Sequence, residues 1–144
     1  MNRGFTLPGL LFLVSLSWHG AATALDEGFS VEPVLVGLDV PVFFGFAPDG
    51  RLFFNEYTTG NVRVVSPDME LVEAPVARFD DVEVFFERGF LGLELDPEFD
   101  SNHYLYVYYS STDGSHKLVR IHEAAGAADE IVVLRDDLPL VGEG

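Results

Sequence analysis

From Val40 onward the apolar residues come in short runs rich in Val, Phe, Tyr and Leu, and each run stops at a cluster of Gly, Pro, Asp or Asn. That is the signature of strands punctuated by turns. The pattern predicts strands at about 42–47, 51–56, 61–66, 70–77, 90–95, 103–110, 117–123 and 130–134. Only Glu123–Ala128 has a weak helical flavour, and Gly126 interrupts it. The expected fold class is therefore all-β. Ala47-Pro48-Asp49-Gly50 places proline where a type I turn fixes φ and glycine where the next residue must be left-handed, so it should close a hairpin. Tyr57-Thr58-Thr59-Gly60-Asn61 reads as the following turn.

The chain also aligns with itself. Phe46-Ala47-Pro48-Asp49 followed by Leu52-Phe53-Phe54 recurs as Leu95-Asp96-Pro97-Glu98 followed by Leu105-Tyr106-Val107, with Pro48 and Pro97 lying 49 positions apart. Four short strands repeated at such a period are the pattern of a β-propeller blade. A β-sandwich of seven or eight strands also suits this length. If the blades are real, residues 25–144 hold between two and three of them, fewer than the roughly 4–8 that close a ring. The expectation is a front portion of a longer propeller, with about two blades present. Oligomerisation of half-rings is the alternative.

Charge narrows the partners. Eight Lys+Arg stand against 24 Asp+Glu, a formal net charge of −16. Nucleic acid and anionic membrane surfaces both require the opposite sign, and neither is expected as a partner. The aromatic content, 13 Phe and 5 Tyr, is too high for a disordered acidic tail. With no cysteine, disulfides, thiolate metal sites and thiol nucleophiles are all excluded.

Residues 1–24 read as a signal peptide. Arg3 supplies the positive start, Leu7–Leu16 the apolar run, and Ala22-Thr23-Ala24 a small-x-small cleavage pattern. Pro8, Ser15, Ser17 and His19 interrupt a stretch that is shorter than the roughly 20 residues a spanning helix needs. The mature protein is expected to be secreted or periplasmic and not inserted in a membrane. Its charge is more negative still, because cleavage removes Arg3 and no acid.

Val40-Pro41, Phe46-Ala47-Pro48-Asp49-Gly50-Arg51-Leu52, Glu87-Arg88-Gly89-Phe90-Leu91-Gly92-Leu93, Asp96-Pro97-Glu98-Phe99 and Tyr104-Leu105-Tyr106-Val107-Tyr108-Tyr109 occur in that order. Together they resemble the opening of the glucose/sorbosone dehydrogenase family. The resemblance covers about 35–140 and implies a secreted six-bladed propeller, many of whose members use pyrroloquinoline quinone (PQQ). It implies oxidation of a sugar or polyol by hydride transfer to PQQ, with calcium as a second cofactor and an external electron acceptor. The same pattern includes Hedgehog-interacting-protein-like propellers, whose role is binding, so a non-enzymatic extracellular binder stays open as the alternative.

In a four-stranded meander, one end of the ring is lined by the connections at 57–61, 78–89, 111–116 and 138–144. The longest, Arg78–Gly89, carries Asp80, Asp81, Glu83, Glu87 and Arg88 around Val84-Phe85-Phe86. Long loops on a rigid scaffold are where function concentrates. The resemblance aligns Glu87 with a glutamine that lies beside the quinone in the family's glucose dehydrogenases. Glu87 and Arg88 are accordingly the candidate cofactor-binding residues. A carboxylate there repels an anionic quinone unless it is protonated or paired, and Arg88 is the expected partner; a structural ion pair at a strand entrance is the other reading. His103, His116 and His122 lack metal-ligand companions at recognisable spacing and are assigned no catalytic role. The resemblance places the general-base histidine at or just after Gly144, with most quinone and calcium ligands in later blades, so this stretch alone is expected to be inactive. Asp96–Asp100 lacks the EF-hand pattern and reads as a solvated acidic loop. The stripe Tyr104, Tyr106, Tyr108 reads as packing between blades and not as a sugar platform.

Overall fold

A computed structural model of the chain describes residues 30–139, and the expected signal peptide at 1–24 lies outside them. Two antiparallel four-stranded sheets follow one another. The first contains β1 Pro41–Phe46, β2 Leu52–Glu56, β3 Asn61–Val65 and β4 Ala77–Arg78; the second contains β5 Phe90–Leu95, β6 Tyr104–Ser110, β7 Ser115–Ala124 and β8 Ala127–Pro139. Each sheet keeps its strands in chain order. Two successive meanders are the blade pattern, whereas a sandwich of this size uses Greek-key crossings. The fold is a partial β-propeller. The sandwich alternative is not what the chain forms.

The turn chemistry acts as the sequence requires. Gly50 has φ 87°, its N–H donates to the Ala47 carbonyl at 3.0 Å and the Ala47 N–H donates to Arg51 at 2.8 Å. Pro48 and Pro97 sit in equivalent connections, from β1 to β2 and from β5 to β6, which is the physical content of the repeat. The second connection adds a single helical turn, α1 Phe99–Asn102, where the sequence suggested only an acidic loop. Asp96 organises it by accepting from the Asn102 amide at 2.9 Å, the Glu98 N–H at 2.9 Å and the Tyr106 hydroxyl at 2.8 Å. These bonds hold the Asp96 carboxyl below its ordinary pKa. The turn also drives Phe99 into the core, edge-on to Phe53 at 5.4 Å.

Both outer strands depart from expectation. The predicted strand at 70–77 shrinks to Ala77–Arg78. Val72 and Val76 still donate to Val64 and Val62, but Pro75 has no N–H to offer and the ladder breaks around it. The predicted strand at 130–134 grows to Ala127–Pro139, because it pairs along the whole of β7. The weakly helical Glu123–Ala128 is a two-residue hairpin instead: Ala125 at φ 52° and Gly126 at φ 89° give the left-handed pair that a type I′ turn needs.

One face of each sheet makes the shared core. Phe53, Val62, Val64 and Phe79 meet Phe90, Leu93, Leu105, Val107, Tyr109, Val119 and Ile121. Phe53 and Phe90 are fully buried, and each contributes about 2–3 kcal/mol by leaving water. Strand β6 shows how alternation sets the faces. Leu105, Val107 and Tyr109 enter this core, while Tyr104, Tyr106 and Tyr108 are half-buried on the opposite side. Between the sheets β1 runs beside β5, with Gly45 against the Leu95 side chain, and Ala128 donates to the Val76 carbonyl at 2.7 Å. Buried Asn55 links them further. Its carbonyl accepts the Phe43 N–H at 2.8 Å at a break in the β1–β2 register, and its amide donates to the Phe90 carbonyl at 2.8 Å. The far face of the first sheet leaves Phe44 68% exposed, while Val133, 51% exposed, lies on the core-side face of the second sheet beside its partner Val119.

Candidate functional site

Three connections converge at one end of the sheets. The Phe79 N–H donates to Gly60 at 3.0 Å, the Thr112 N–H to Asp81 at 2.8 Å and the Glu83 N–H to Ser110 at 2.8 Å. Segments 57–61, 78–89 and 111–116 therefore form one continuous rim, the grouping the meander predicts. Pro139 joins it by pairing with Ser115, while residues 140–144 lie outside the described residues. Gly60 is required here. A Cβ on it would overlap the Phe79 carbonyl oxygen.

Asp81 ties the rim together. Its carboxylate accepts from the Tyr109 hydroxyl at 3.0 Å, the Ser111 hydroxyl at 2.9 Å and the Lys117 ammonium at 2.8 Å. Burial pushes the Asp81 carboxyl up, but the bonds from Lys117, Ser111 and Tyr109 outweigh it and leave the pKa below the usual carboxylate value. Asp113 adds a second bond to Lys117 at 2.9 Å. Its own carboxyl is held down to about 2, first by the Ser115 hydroxyl and then by Lys117. The lysine is accordingly locked as an ammonium, its pKa raised by Asp81 and Asp113. This network leaves no trace in the sequence, because its members are spread from position 81 to 117 and have no motif spacing.

Next to it, residues 85–88 make a tight hairpin. The Phe85 N–H donates to Arg88 at 3.2 Å and the Arg88 N–H returns to Phe85 at 2.9 Å. The Tyr57 hydroxyl sits against the carbonyls of Phe86, at 2.9 Å, and Arg88, and the Tyr57 ring occupies the space a Cβ on Gly89 would need. The hairpin borders an open cleft of about 540 Å³ lined by Phe85, Phe86, Glu87, Arg88, Leu91, Tyr108 and His116. Glu87 and Arg88 thus face one space, yet they do not pair. Arg88 donates to Glu83 at 2.9 Å instead. Consecutive side chains diverge, and the turn folds Arg88 back onto the strand side where Glu83 waits.

His116 is the lining residue that sequence reasoning passed over. Its Nδ1 lies 3.1 Å from the hydroxyl of fully buried Ser110, and its ring is tilted on Tyr108 at 5.1 Å. The Tyr109-Ser110 alternation of β6 and the turn at 111–115 bring it there, a placement visible only once register is fixed. The other two histidines among the described residues lie at the far end of the sheet. His103 caps α1 in a left-handed conformation, and His122 meets Asp129 at 2.5 Å. Among the described residues no group of His, Asp and Glu is arranged to hold a metal ion.

The pattern of the Glucose / Sorbosone dehydrogenase family matches residues 38–136. The chain belongs to that family. Solved structures with the same fold include the PQQ-bound form of an aldose sugar dehydrogenase from Streptomyces coelicolor, at 20% identity and TM-score 0.64 over 76% of this chain and 34% of that one. A putative oxidoreductase (glucose dehydrogenase) from Thermus thermophilus is 31% identical, with TM-score 0.61 over 75% of this chain and 32% of that one. The apo-form soluble aldose sugar dehydrogenase from Escherichia coli matches at 20% identity and TM-score 0.61, over 74% and 32% of the two chains. The chain spans about a third of the length of these structures. No helix among the described residues is long and apolar enough to cross a membrane.

Against a planar tricarboxylate such as PQQ, this glucose/sorbosone dehydrogenase rim fits as one wall only. Phe85, Phe86, Leu91 and Tyr108 offer flat apolar surface to a ring. The charges do not offer an anion site. Arg78 is bonded to Asp80 at 2.6 Å, Arg88 to Glu83 and Lys117 to Asp81 and Asp113. Segments 78–89 and 111–117 hold those three cations against the five carboxylates of Asp80, Asp81, Glu83, Glu87 and Asp113.

Proposed function

We propose that residues 25–144 are the first two blades of a secreted or periplasmic six-bladed sugar dehydrogenase, exported by a signal peptide cleaved near Ala24. The observation that carries this reading is the rim formed by 57–61, 78–89 and 111–116 beside a cleft lined by Glu87, Arg88 and His116, in a chain of the glucose/sorbosone dehydrogenase family. When bound, PQQ supplies the acceptor for a hydride from the sugar carbon, and calcium accompanies it. Glu87 and Arg88 would stand at the cofactor wall. Arg88, fixed by Glu83, keeps further N–H donors for a carbonyl edge. The Glu87 carboxylate must face away from the quinone's negative charge. The aromatic side chains exclude water from that side. No residue of this chain is assigned the general base, and electrons leave to an external acceptor.

The test is reconstitution of the full-length protein. Adding PQQ and calcium to the apoprotein should produce dye reduction that depends on an aldose or polyol. Native circular dichroism without dye reduction across such a panel would move the assignment to the second reading, an extracellular binding propeller without redox chemistry. Glu87 itself favours that second reading, since the resemblance aligns it with a glutamine of the family's glucose dehydrogenases and its neighbour Arg88 is already paired with Glu83.

A further inference from the structure

Phe86 is 88% exposed and has φ 52°. Both facts are unfavourable for a phenylalanine. Exposure forgoes its burial energy, and the left-handed region is strained for a bulky L-residue. The conformation is nevertheless imposed from several sides. Phe85 and Arg88 exchange both backbone hydrogen bonds across the turn, Tyr57 holds the Phe86 carbonyl, and Phe85 abuts the Phe86 ring edge-to-face at 4.6 Å. A rigid hairpin thus presents an aromatic face at the border of the cleft. Strain maintained in this way at a cleft is characteristic of a functional position.

The surroundings select the ligand. All three cations of the rim are bonded to carboxylates, and the acids outnumber them, so an anion gains nothing at this mouth. A neutral molecule with an apolar face and a rim of hydroxyls matches it better. The negative face of an aromatic ring attracts polarised C–H groups, while Glu87, the spare N–H groups of Arg88 and His116 lie around the same cleft as acceptors and donors. We infer that Phe86, backed by Phe85, is the platform on which the C–H face of a pyranose ring stacks, with Glu87, Arg88 and His116 reading its hydroxyls. This rests on the proposed sugar-oxidising function for the class of ligand. It adds the residues that choose the ring.

The experiment uses the full-length protein and methyl β-glucoside, whose blocked anomeric oxygen permits binding to be measured without turnover. Calorimetry should show that Phe86→Ala weakens glucoside binding on the order of tenfold. Phe86→Trp should retain it and gain a saturable fluorescence change that the unsubstituted protein lacks. Phe86→Gly should raise Tm, by relieving the backbone, and still lose affinity. A merely structural Phe86 would not separate in that way. Equal glucoside affinity in all three variants, or no glucoside binding by the unsubstituted protein, overturns the inference. Phe86-dependent glucoside binding without dye reduction by the quinone-loaded protein preserves the platform and removes the dehydrogenase reading. Dye reduction with kcat and KM unchanged by Phe86→Ala does the reverse.

Discussion

Arg51 and Glu123, 72 positions apart, meet in a two-pronged ion pair, with both Arg51 terminal nitrogens 2.9 Å from the two Glu123 oxygens. The Glu123 side chain is only 1% exposed. The arginine lies at the β1–β2 turn of the first blade and the glutamate near the end of β7 in the second. The guanidinium also lies over Phe53 at 5.0 Å, and the Gly126 N–H completes the carboxylate's shell. This contact fastens one blade to the next. Removing one partner leaves the other charge buried alone, so Arg51→Met should cost about 3 kcal/mol in chemical unfolding. Replacing both, as Arg51→Met with Glu123→Leu, should recover much of that loss. If the double variant is no more stable than Arg51→Met, the cost does not come from a stranded carboxylate.

The same pair sets an acid limit. Burial pushes the Glu123 carboxyl up, but the Arg51 bonds and the Gly126 N–H hold it below its ordinary 4.5, and Asp81 is likewise held below 3.8. Groups lowered on folding give their full stabilisation above their ordinary pKa and lose it as pH falls through the folded value. Against this, protonation of exposed acids relieves repulsion in a chain of net charge −16. Stability should therefore rise modestly from neutrality to about pH 5, then fall below about pH 4. A Tm series across that range checks it, and Glu123→Gln should flatten the acid limb. An unchanged limb would assign acid unfolding to other carboxylates.

Two rim glycines separate steric from conformational cost. Gly60 has φ 70° and no room for a Cβ beside the Phe79 carbonyl, whereas Gly114 has φ 88° and open space around it. Gly114→Ala should cost only the left-handed penalty of about 1–2 kcal/mol. Gly60→Ala should cost about 2 kcal/mol more, because backbone must move. Urea titration of the two variants gives the comparison, and equal losses would mean that the rim yields at Gly60 without strain.

The apolar run Phe90–Leu95, bounded by Gly89 and Asp96-Pro97, located β5 to the residue, and the Pro48–Pro97 spacing marked equivalent connections. The outer strands were harder to read because their limits depend on pairing partners: Pro75 interrupts one and the length of β7 extends the other. Glu87 and Arg88 could be placed at the rim from strand order alone. Their ionic partners could not, since Glu83 reaches Arg88 through a turn whose left-handed residue is a phenylalanine. Left-handed Phe86 has no propensity signal, and it takes the tertiary contact with Tyr57 to help make it tenable.

That contact is open to direct test. The Tyr57 hydroxyl bonds to the 85–88 hairpin from outside, while its ring packs against Gly89. Tyr57→Phe keeps the ring and removes only the hydroxyl. Global stability should drop by about 1 kcal/mol, the worth of one hydrogen bond. The local effect should be larger, because this hydroxyl holds the strained Phe86 from outside its own turn. Hydrogen exchange at the Arg88 amide, which closes the turn onto Phe85, should quicken by more than the global loss accounts for. Exchange at Val64, in the fully buried core, should follow the global loss alone. If Arg88 and Val64 quicken by the same factor, Tyr57 supports the blade as a whole and does not specifically hold the turn that presents Phe86.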